Sequence, residues 1–283
     1  MTMRTASSHG TTNINPLKRK KTMKKFIFMA VAGMLALSSC SNDDNDVQNA
    51  PRQMTFTAGF GDEAQTRAAL NGNKVSFDKN DAISILSANN TNTRFTTTED
   101  GASVTFTGTA TADSKFYAVY PYTDGLTLDT STGIISGVEI PVGQSGAGWL
   151  GWQPDAPIAY ATTTGTNLQF HNACALLKII NDRGEAMSIE VSCREALTGT
   201  FSLNTSSGAL SGSDDDTFRM AHVMSVPANK TIYIAIAPGE KNDFEVHWMG
   251  MDNSDARKWK RSAVTFEAGK IYNLGNTSTW DAH

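Results

Sequence analysis

An all-β protein is predicted from residue 53 onward, on three observations. Short runs alternate apolar and polar residues, as a strand with one buried face requires, and they are rich in Thr, Val, Ile, Phe and Tyr. Gly, Asn, Asp and Ser separate these runs. No amphipathic helical pattern extends beyond about two turns.

The elements follow in order. Residues 54–60 (MTFTAGF) alternate cleanly. Asn71-Gly72-Asn73 is a hairpin-type turn signal before Lys74-Val75-Ser76-Phe77, and Asn80-Asp81 marks a turn before the strand pattern at 83–86. Residues 103–107 (SVTFT) and 263–266 (AVTF) alternate likewise. Residues 115–122 (KFYAVYPY) and 231–239 (TIYIAIAPG) echo one another. Each is nearly continuously apolar, as a central strand or one in a sandwich core is, and each meets a proline that cannot donate to a ladder. Phe106-Thr107-Gly108 has a fainter echo in Thr198-Gly199-Thr200-Phe201. The duplication predicts two similar β-sandwich domains, 53–165 and 166–283, joined at a Thr-rich linker over 161–166.

The first 39 residues behave differently. They hold seven basic side chains and no acidic one, so the remainder carries 17 basic and 28 acidic residues, a net charge near −11. That balance argues against electrostatic binding to nucleic acid. Met23-Lys24-Lys25 is a charged start, and the apolar run 26–37 behind it is shorter than the roughly 20 residues a permanent membrane helix needs. Leu37-Ser38-Ser39-Cys40 matches a lipobox. A thiol is required there because a diacylglyceryl group joins sulfur as a thioether. Cleavage between Ser39 and Cys40 then frees an amine that is usually acylated too, and two or more acyl chains make anchoring stable. Residues 1–39 are therefore expected to be a signal peptide, with Met23 as an alternative start. Residues 40–52 are expected to be a lipidated tether, since the stretch 41–46 (SNDDND) has no apolar surface to bury.

No catalytic or metal motif stands out. The five histidines lack ligand spacing, and no phosphate loop, nucleophile elbow or zinc motif is present. A distant carboxylate pair is the one catalytic arrangement left open. No enzyme activity, cofactor or metal is expected. The turn 211–216 (SGSDDD) has the oxygens for calcium but not the alternating ligand spacing, and reads as a solvated turn. Cys174 and Cys193 read as small buried hydrophobes, with a bridge between them as the open alternative. Trp149 and Trp152, in a Gly-rich segment, either stack on sugar rings or pack at the end of a core or a neighbouring subunit.

The lipobox with its acidic tether, the first strand, Gln65-Thr66-Arg67-Ala68, residues 75–83, 116–122, Ile140-Pro141-Val142-Gly143-Gln144, 168–178, 234–239 and 268–274 together resemble the fimbrillin family. The likeness covers residues 40–275. It implies two tandem transthyretin-like Greek-key sandwiches, and a role as a stalk, tip or anchor subunit of type V fimbriae serving adhesion. The tether resembles the acidic signal that carries Bacteroidales lipoproteins to the outer face of the outer membrane. Family pilins are cut after an arginine beyond the first strand; that strand leaves, and a strand of the next subunit takes its groove. Arg67, followed by Ala68, matches that arginine in position, beside the plain alternative of a turn before the hairpin. Little chain follows residues 271–274, so the donor is either the last strand itself or lacking in a tip or anchor. The expected partners are other fimbrial subunits and the outer membrane through the lipid. The competing expectation is a non-polymerising surface lipoprotein that holds glycan or host protein on exposed loops.

Overall fold

A computed structural model describes residues 50–61, 76–144, 157–252 and 255–282. It bears out the all-β expectation: the described residues form strands joined by turns, with one short 3₁₀ turn at Thr277–Thr279.

The first half builds a closed barrel from β1 (Arg52–Phe60), β2 (Ala82–Ser87), β3 (Asn90–Thr96), β4 (Ser103–Ala110) and β5 (Phe116–Tyr120). After β6 (Thr127–Asp129) and β7 (Ile134–Ile140), which lie elsewhere, β8 (Ala159–Thr163) and β9 (Asn167–Asn172) complete it. The order is β1-β4-β3-β2-β5-β8-β9, and β9 closes the ring by pairing parallel to β1. A small barrel must fill its interior with side chains. Here Phe56, Phe77, Phe95, Phe106, Phe116, Tyr120 and Phe170 do so, all buried. Gly108 on β4 makes room for them, because a Cβ there would lie 2.7 Å from the Phe95 ring.

The second half contains β10 (Ala175–Asn181), β11 (Ala186–Ser192), β12 (Thr198–Asn204), β13 (Leu210–Ser211), β14 (Thr217–Phe218), β15 (Met220–Val226) and β16 (Lys230–Ile236). It continues with β17 (Gly239–Gly250), β18 (Ala256–Phe266), β19 (Ile271–Asn276) and β20 (Asp281–Ala282). A three-stranded sheet, β16-β10-β19, and a five-stranded sheet, β15-β11-β17-β18-β20, share one core. The remaining sheet, β13-β12-β7-β6 with β14 beside β12, pairs strands from both halves of the chain.

That pairing creates a third core, between the outer face of the barrel and the three-stranded sheet. Tyr117 and Val119 of β5, Ile135 and Val138 of β7, Phe201 and Leu203 of β12, and Leu176 and Ala235 are buried in it. Strand alternation is what lets one strand serve two cores. On β5, Phe116, Ala118 and Tyr120 face the barrel interior while Tyr117 and Val119 face outward.

One expectation needs correction. The stretch 161–166 is not a linker: it is the end of β8 and its turn into β9, and β9 pairs with β1 and β8. The boundary expected at 165–166 thus falls inside a barrel hairpin. Thr-rich sequence is as good a strand as a linker, and Ala161 faces the barrel core. Of the two readings left open for residues 231–239, the structure takes the one in a sandwich core: β16 is an edge strand that pairs with β10 alone among the described strands, whereas β5 lies between β2 and β8. Ile232, Ile234 and Ile236 face one core, and Ala235 faces the other.

The exposed edge of β16 is closed by a side chain. After β7, residues 141–144 lie parallel to β15: His222 donates its N–H to the Val142 carbonyl, and Gln144 donates to the His222 carbonyl, both at 2.8 Å. The Gln144 amide then acts as a one-residue strand for β16. Its Nε2 donates to the Ala235 carbonyl and its Oε1 accepts from the Ala235 N–H, each at 2.8 Å. Gln144 is itself buried. Gln144→Ala is expected to cost about 2–4 kcal/mol of stability, since both backbone groups of Ala235 would be left buried and unpaired. Chemical denaturation checks this, and an unchanged midpoint would contradict the edge-capping role.

Candidate functional site

β1 is held in a way that sets it apart from the rest of the barrel. Along one side it pairs antiparallel with β4 from Arg52↔Ala110 to Gly59↔Ser103. Along the other it pairs parallel with β9 over only four residues, Thr57↔Asn167 to Phe60↔Phe170. Its inward side chains enter a slot. Phe56 is fully buried, edge-on to Phe95 at 5.4 Å and to Phe116 at 5.1 Å. Ala58 is buried beside it, and Phe60 stacks on Phe77 at 4.9 Å. Thr55 and Thr57 face solvent.

This local structure follows from the composition of the strand. Alternating Met54, Phe56, Ala58 and Phe60 present one apolar face, and the threonines between them tolerate water on the other. Were β1 withdrawn, β4 and β9 would expose facing ladders of N–H and C=O groups over an apolar slot. Such an opening is a template for another extended strand. It favours a bulky apolar side chain at the Phe56 level and a small one at the Ala58 level.

The other end of the chain is fastened differently. β19 runs parallel to β10, with Leu274 in the core. The residues after it are gathered by Asn181 and Asp182 at the end of β10. Asp182 accepts from the Ser278 hydroxyl, from the Ser278 N–H at 2.8 Å, from Asn276 Nδ2 at 3.0 Å and from Thr277 Oγ1 at 3.1 Å. The Ser278 hydroxyl above all, with these other donors, holds the Asp182 carboxyl well below the usual carboxylate range despite the opposing effect of burial. The buried Asn181 accepts from Trp248 Nε1 at 3.1 Å and donates to the Pro227 carbonyl at 2.8 Å. Trp280, also buried, donates its indole N–H to the Leu274 carbonyl at 3.1 Å. Sequence inspection missed this clasp; its one local signal is the Asn-Asp pair that ends an apolar strand.

The residues singled out in the sequence have varied placements. Ser39 and Cys40, Arg67 and Ala68, and Trp149 and Trp152 all lie outside the described residues. In sequence, Arg67 falls in the connection between β1 and Phe77, which forms a bridge to Gly101. Both cysteines that are described are free thiols. Cys174 is buried, its sulfur accepting from the Ile158 N–H, and burial pushes the thiol up to about 12. Cys193 is half-buried and pushed up to about 11, again by burial. At 211–216 the turn satisfies itself: Ser213 Oγ donates to Asp216 at 2.6 Å, and Thr217 Oγ1 donates to the Ser213 carbonyl at 2.7 Å. Among the described residues no group of three His, Cys, Asp or Glu could hold a metal ion.

No family model and no curated protein sequence matches the chain. Solved structures do. A candidate cell adhesion protein from Bacteroides uniformis is similar at 16% identity and a TM-score of 0.50, covering 81% of this chain and 95% of that one. A fimbrial assembly protein from Parabacteroides distasonis matches at 10% identity, with 82% and 93% coverage and a TM-score of 0.37. A fimbrial protein from Bacteroides vulgatus matches at 9% identity, with 81% and 96% coverage and a TM-score of 0.35. The first of these likenesses shows a shared fold, in agreement with the fimbrillin resemblance of the sequence.

Phe56→Ala is expected to destabilise the protein by about 3–5 kcal/mol, the usual cost of emptying a buried phenylalanine site. Thr55→Ala on the solvent face should cost under about 0.5 kcal/mol. Equal effects in urea unfolding would mean that β1 is not seated as described. For Asp182 the sign is set by its lowered carboxyl. The stability it lends is present above the unfolded value of about 3.9 and is lost as pH falls below it. Hydrogen exchange at the Ser278 amide should therefore accelerate on acidification below about pH 4 relative to the intrinsic rate, and Asp182→Asn should remove that dependence.

Proposed function

We propose that this chain is a surface lipoprotein that serves as a subunit of type V fimbriae, and that it accepts a strand of a neighbouring subunit in place of β1. The seating of β1 carries the proposal. It is the strand that closes the barrel, it fills the slot with Phe56, and it precedes the connection that contains Arg67. The sequence resemblance to fimbrillins and the fold shared with a Bacteroides candidate cell adhesion protein support the same assignment.

The steps follow from the residues. Cys40 carries the lipid after cleavage from Ser39, and Asp43, Asp44 and Asp46 route the protein to the outer face of the outer membrane. There a trypsin-like protease cuts between Arg67 and Ala68. Among the described residues β1 is then held by its ladders to β4 and β9 and by Met54, Phe56, Ala58 and Phe60. Phe56 alone is worth several kcal/mol, on the order of the whole stability of a small domain. The incoming strand must therefore bring an equivalent side chain. Arrival and departure are best coupled, since an empty slot exposes unpaired backbone on both sides. In this assignment the Phe-filled barrel and the sandwich of β10, β11 and β15–β20 correspond to the two tandem Greek-key units of fimbrillins, and the sheet containing β7 and β12 is an elaboration between them. The chain acts through adhesion and assembly, without catalysis or cofactor.

Limited trypsin treatment of the lipidated protein tests this. Cleavage after Arg67 should release residues 40–67 and yield oligomers, and Arg67→Gln should stay intact and monomeric. A clipped protein that loses residues 40–67 yet remains monomeric would overturn strand exchange. Polysaccharide binding by the uncut form, lost on substitution of Trp149 and Trp152, would then favour a non-polymerising adhesin.

A further inference from the structure

An acidic chain places an unusual amount of positive charge on one strand. β18 carries Arg257, Lys258, Lys260 and Arg261 within five residues, around Trp259. The first two are neutralised: Arg257 pairs with Asp255 at 3.1 Å and Lys258 with Glu245 at 2.7 Å. Lys260 and Arg261 are exposed and have no carboxylate partner among the described residues. The Arg261 guanidinium is held in place, 4.4 Å over the Trp259 ring and bonded to the Lys260 carbonyl. β20 pairs with β18 at Arg257 and Lys258, so among the described residues the strand is a sheet edge from Trp259 onward. Lysine and arginine on such an edge discourage strand pairing. A contact made here is therefore electrostatic and does not add a strand.

The complementary charge lies outside that sheet. Asp214, Asp215 and Asp216 form an exposed turn between β13 and β14, both of which pair with β12, and the Asp216 carbonyl accepts from the Thr200 N–H of β12 at 2.9 Å. Among the described residues its one ion pair is a 4.0 Å contact from Asp214 to Arg219, just before β15, with both side chains largely in water. β15 and β18 are separated in the sheet by β11 and β17. At about 4.8 Å per strand β15 lies roughly 14 Å from β18, beyond the Debye length of about 10 Å at 0.1 M salt, and among the described residues no ion pair joins the two patches, so they do not neutralise one another within a molecule. Two patches of opposite charge on different sheets of one molecule define a heterologous contact, which repeats head to tail instead of closing as a pair.

We infer that the Lys260–Arg261 edge of β18 docks on the 214–216 turn of a second copy of this chain, making a salt-sensitive lateral contact distinct from the β1 slot. Individual exposed ion pairs are weak, so the contact forms at low salt or when other links hold the copies together. It does not rest on strand exchange.

The test uses the uncut chain in detergent, where β1 still fills its slot and exchange is closed. Sedimentation velocity should show self-association at about 20 mM salt that disappears at about 500 mM. Lys260→Glu with Arg261→Glu, and separately Asp214→Lys with Asp215→Lys, should each weaken it at least about tenfold. A mixture of the two charge-reversed proteins should associate again, because each then supplies the complement the other lacks. Recovery on mixing also shows that both variants are folded. A wild-type chain that stays monomeric at low salt, or variants that fail to associate when mixed, would overturn the inference. Loss of binding to a sulfated dextran column by the β18 variant, without any self-association of wild type, would assign the edge to a polyanion instead. Failure here leaves the outcome of Arg67 cleavage untouched, and the reverse also holds.

Discussion

Phe56, set edge-on between Phe95 and Phe116, is the contact on which the barrel depends. It joins β1 to β3 and β5, neither of which pairs with it, across the interior of the ring. A closed barrel has no edges, which is the most complete protection a sheet can have against unwanted pairing. Here the closure is a parallel register of four residues between β1 and β9. That closing ladder is short, as those of β2 with β5 and of β8 with β9 also are, and the slot under Phe56 adds side-chain burial to it. A strand seated by side chains in a slot as well as by its ladders is suited to replacement by a strand with similar side chains.

The outer wall of the barrel is not solvated throughout. β5 and β2 send Tyr117, Val119 and Leu86 outward into a core shared with β7, β12 and β10, and β10 in turn sends Leu177 and Ile179 into the next. Three cores in sequence, each pair sharing a sheet, mean that the pleat of β5 and β10 couples them. Polar groups caught between these layers are matched individually. Gln144 completes β16, and Asn181 links Trp248 to the turn after β10. Lys241, nearly buried, donates to the Ala196 and Pro238 carbonyls, and its ammonium is pushed toward the neutral form by burial. Each such match is needed because an unpaired polar group in these layers would cost more than the bond contributes.

Much of this was legible locally. The strands at 54–60, 83–86 and 103–107 lie within β1, β2 and β4, since period-2 alternation reports the buried face of a strand directly. The continuous apolar runs at β5 and β16 mark buried strands, but not which of the two is central in its sheet and which is an edge inside a sandwich core. The Thr-rich stretch 161–166 misled because threonine serves strands and linkers alike. Gln144 and the Asn181–Asp182 pair gave little warning, since an amide or carboxylate reveals its partner only when a distant segment arrives. In the candidate site, Met54, Phe56, Ala58 and Phe60 announced an apolar face, but not that β4 and β9 would flank it.

By itself the sequence determined that the chain is all-β and which face of its alternating strands is buried, and it set the expectation of an export signal ending at Cys40 ahead of an acidic tether. These are local properties, set by side-chain alternation and by short motifs. Tertiary structure alone decided that β9 returns to close on β1, that β7 crosses to pair with β12, and that the turn carrying Asp214 stands on the sheet of β12, apart from Lys260 on β18. Alternation says that a face must be buried and is silent on what buries it. That choice is made between segments a hundred residues apart, by which pairing fills the interior and leaves the fewest polar groups without partners.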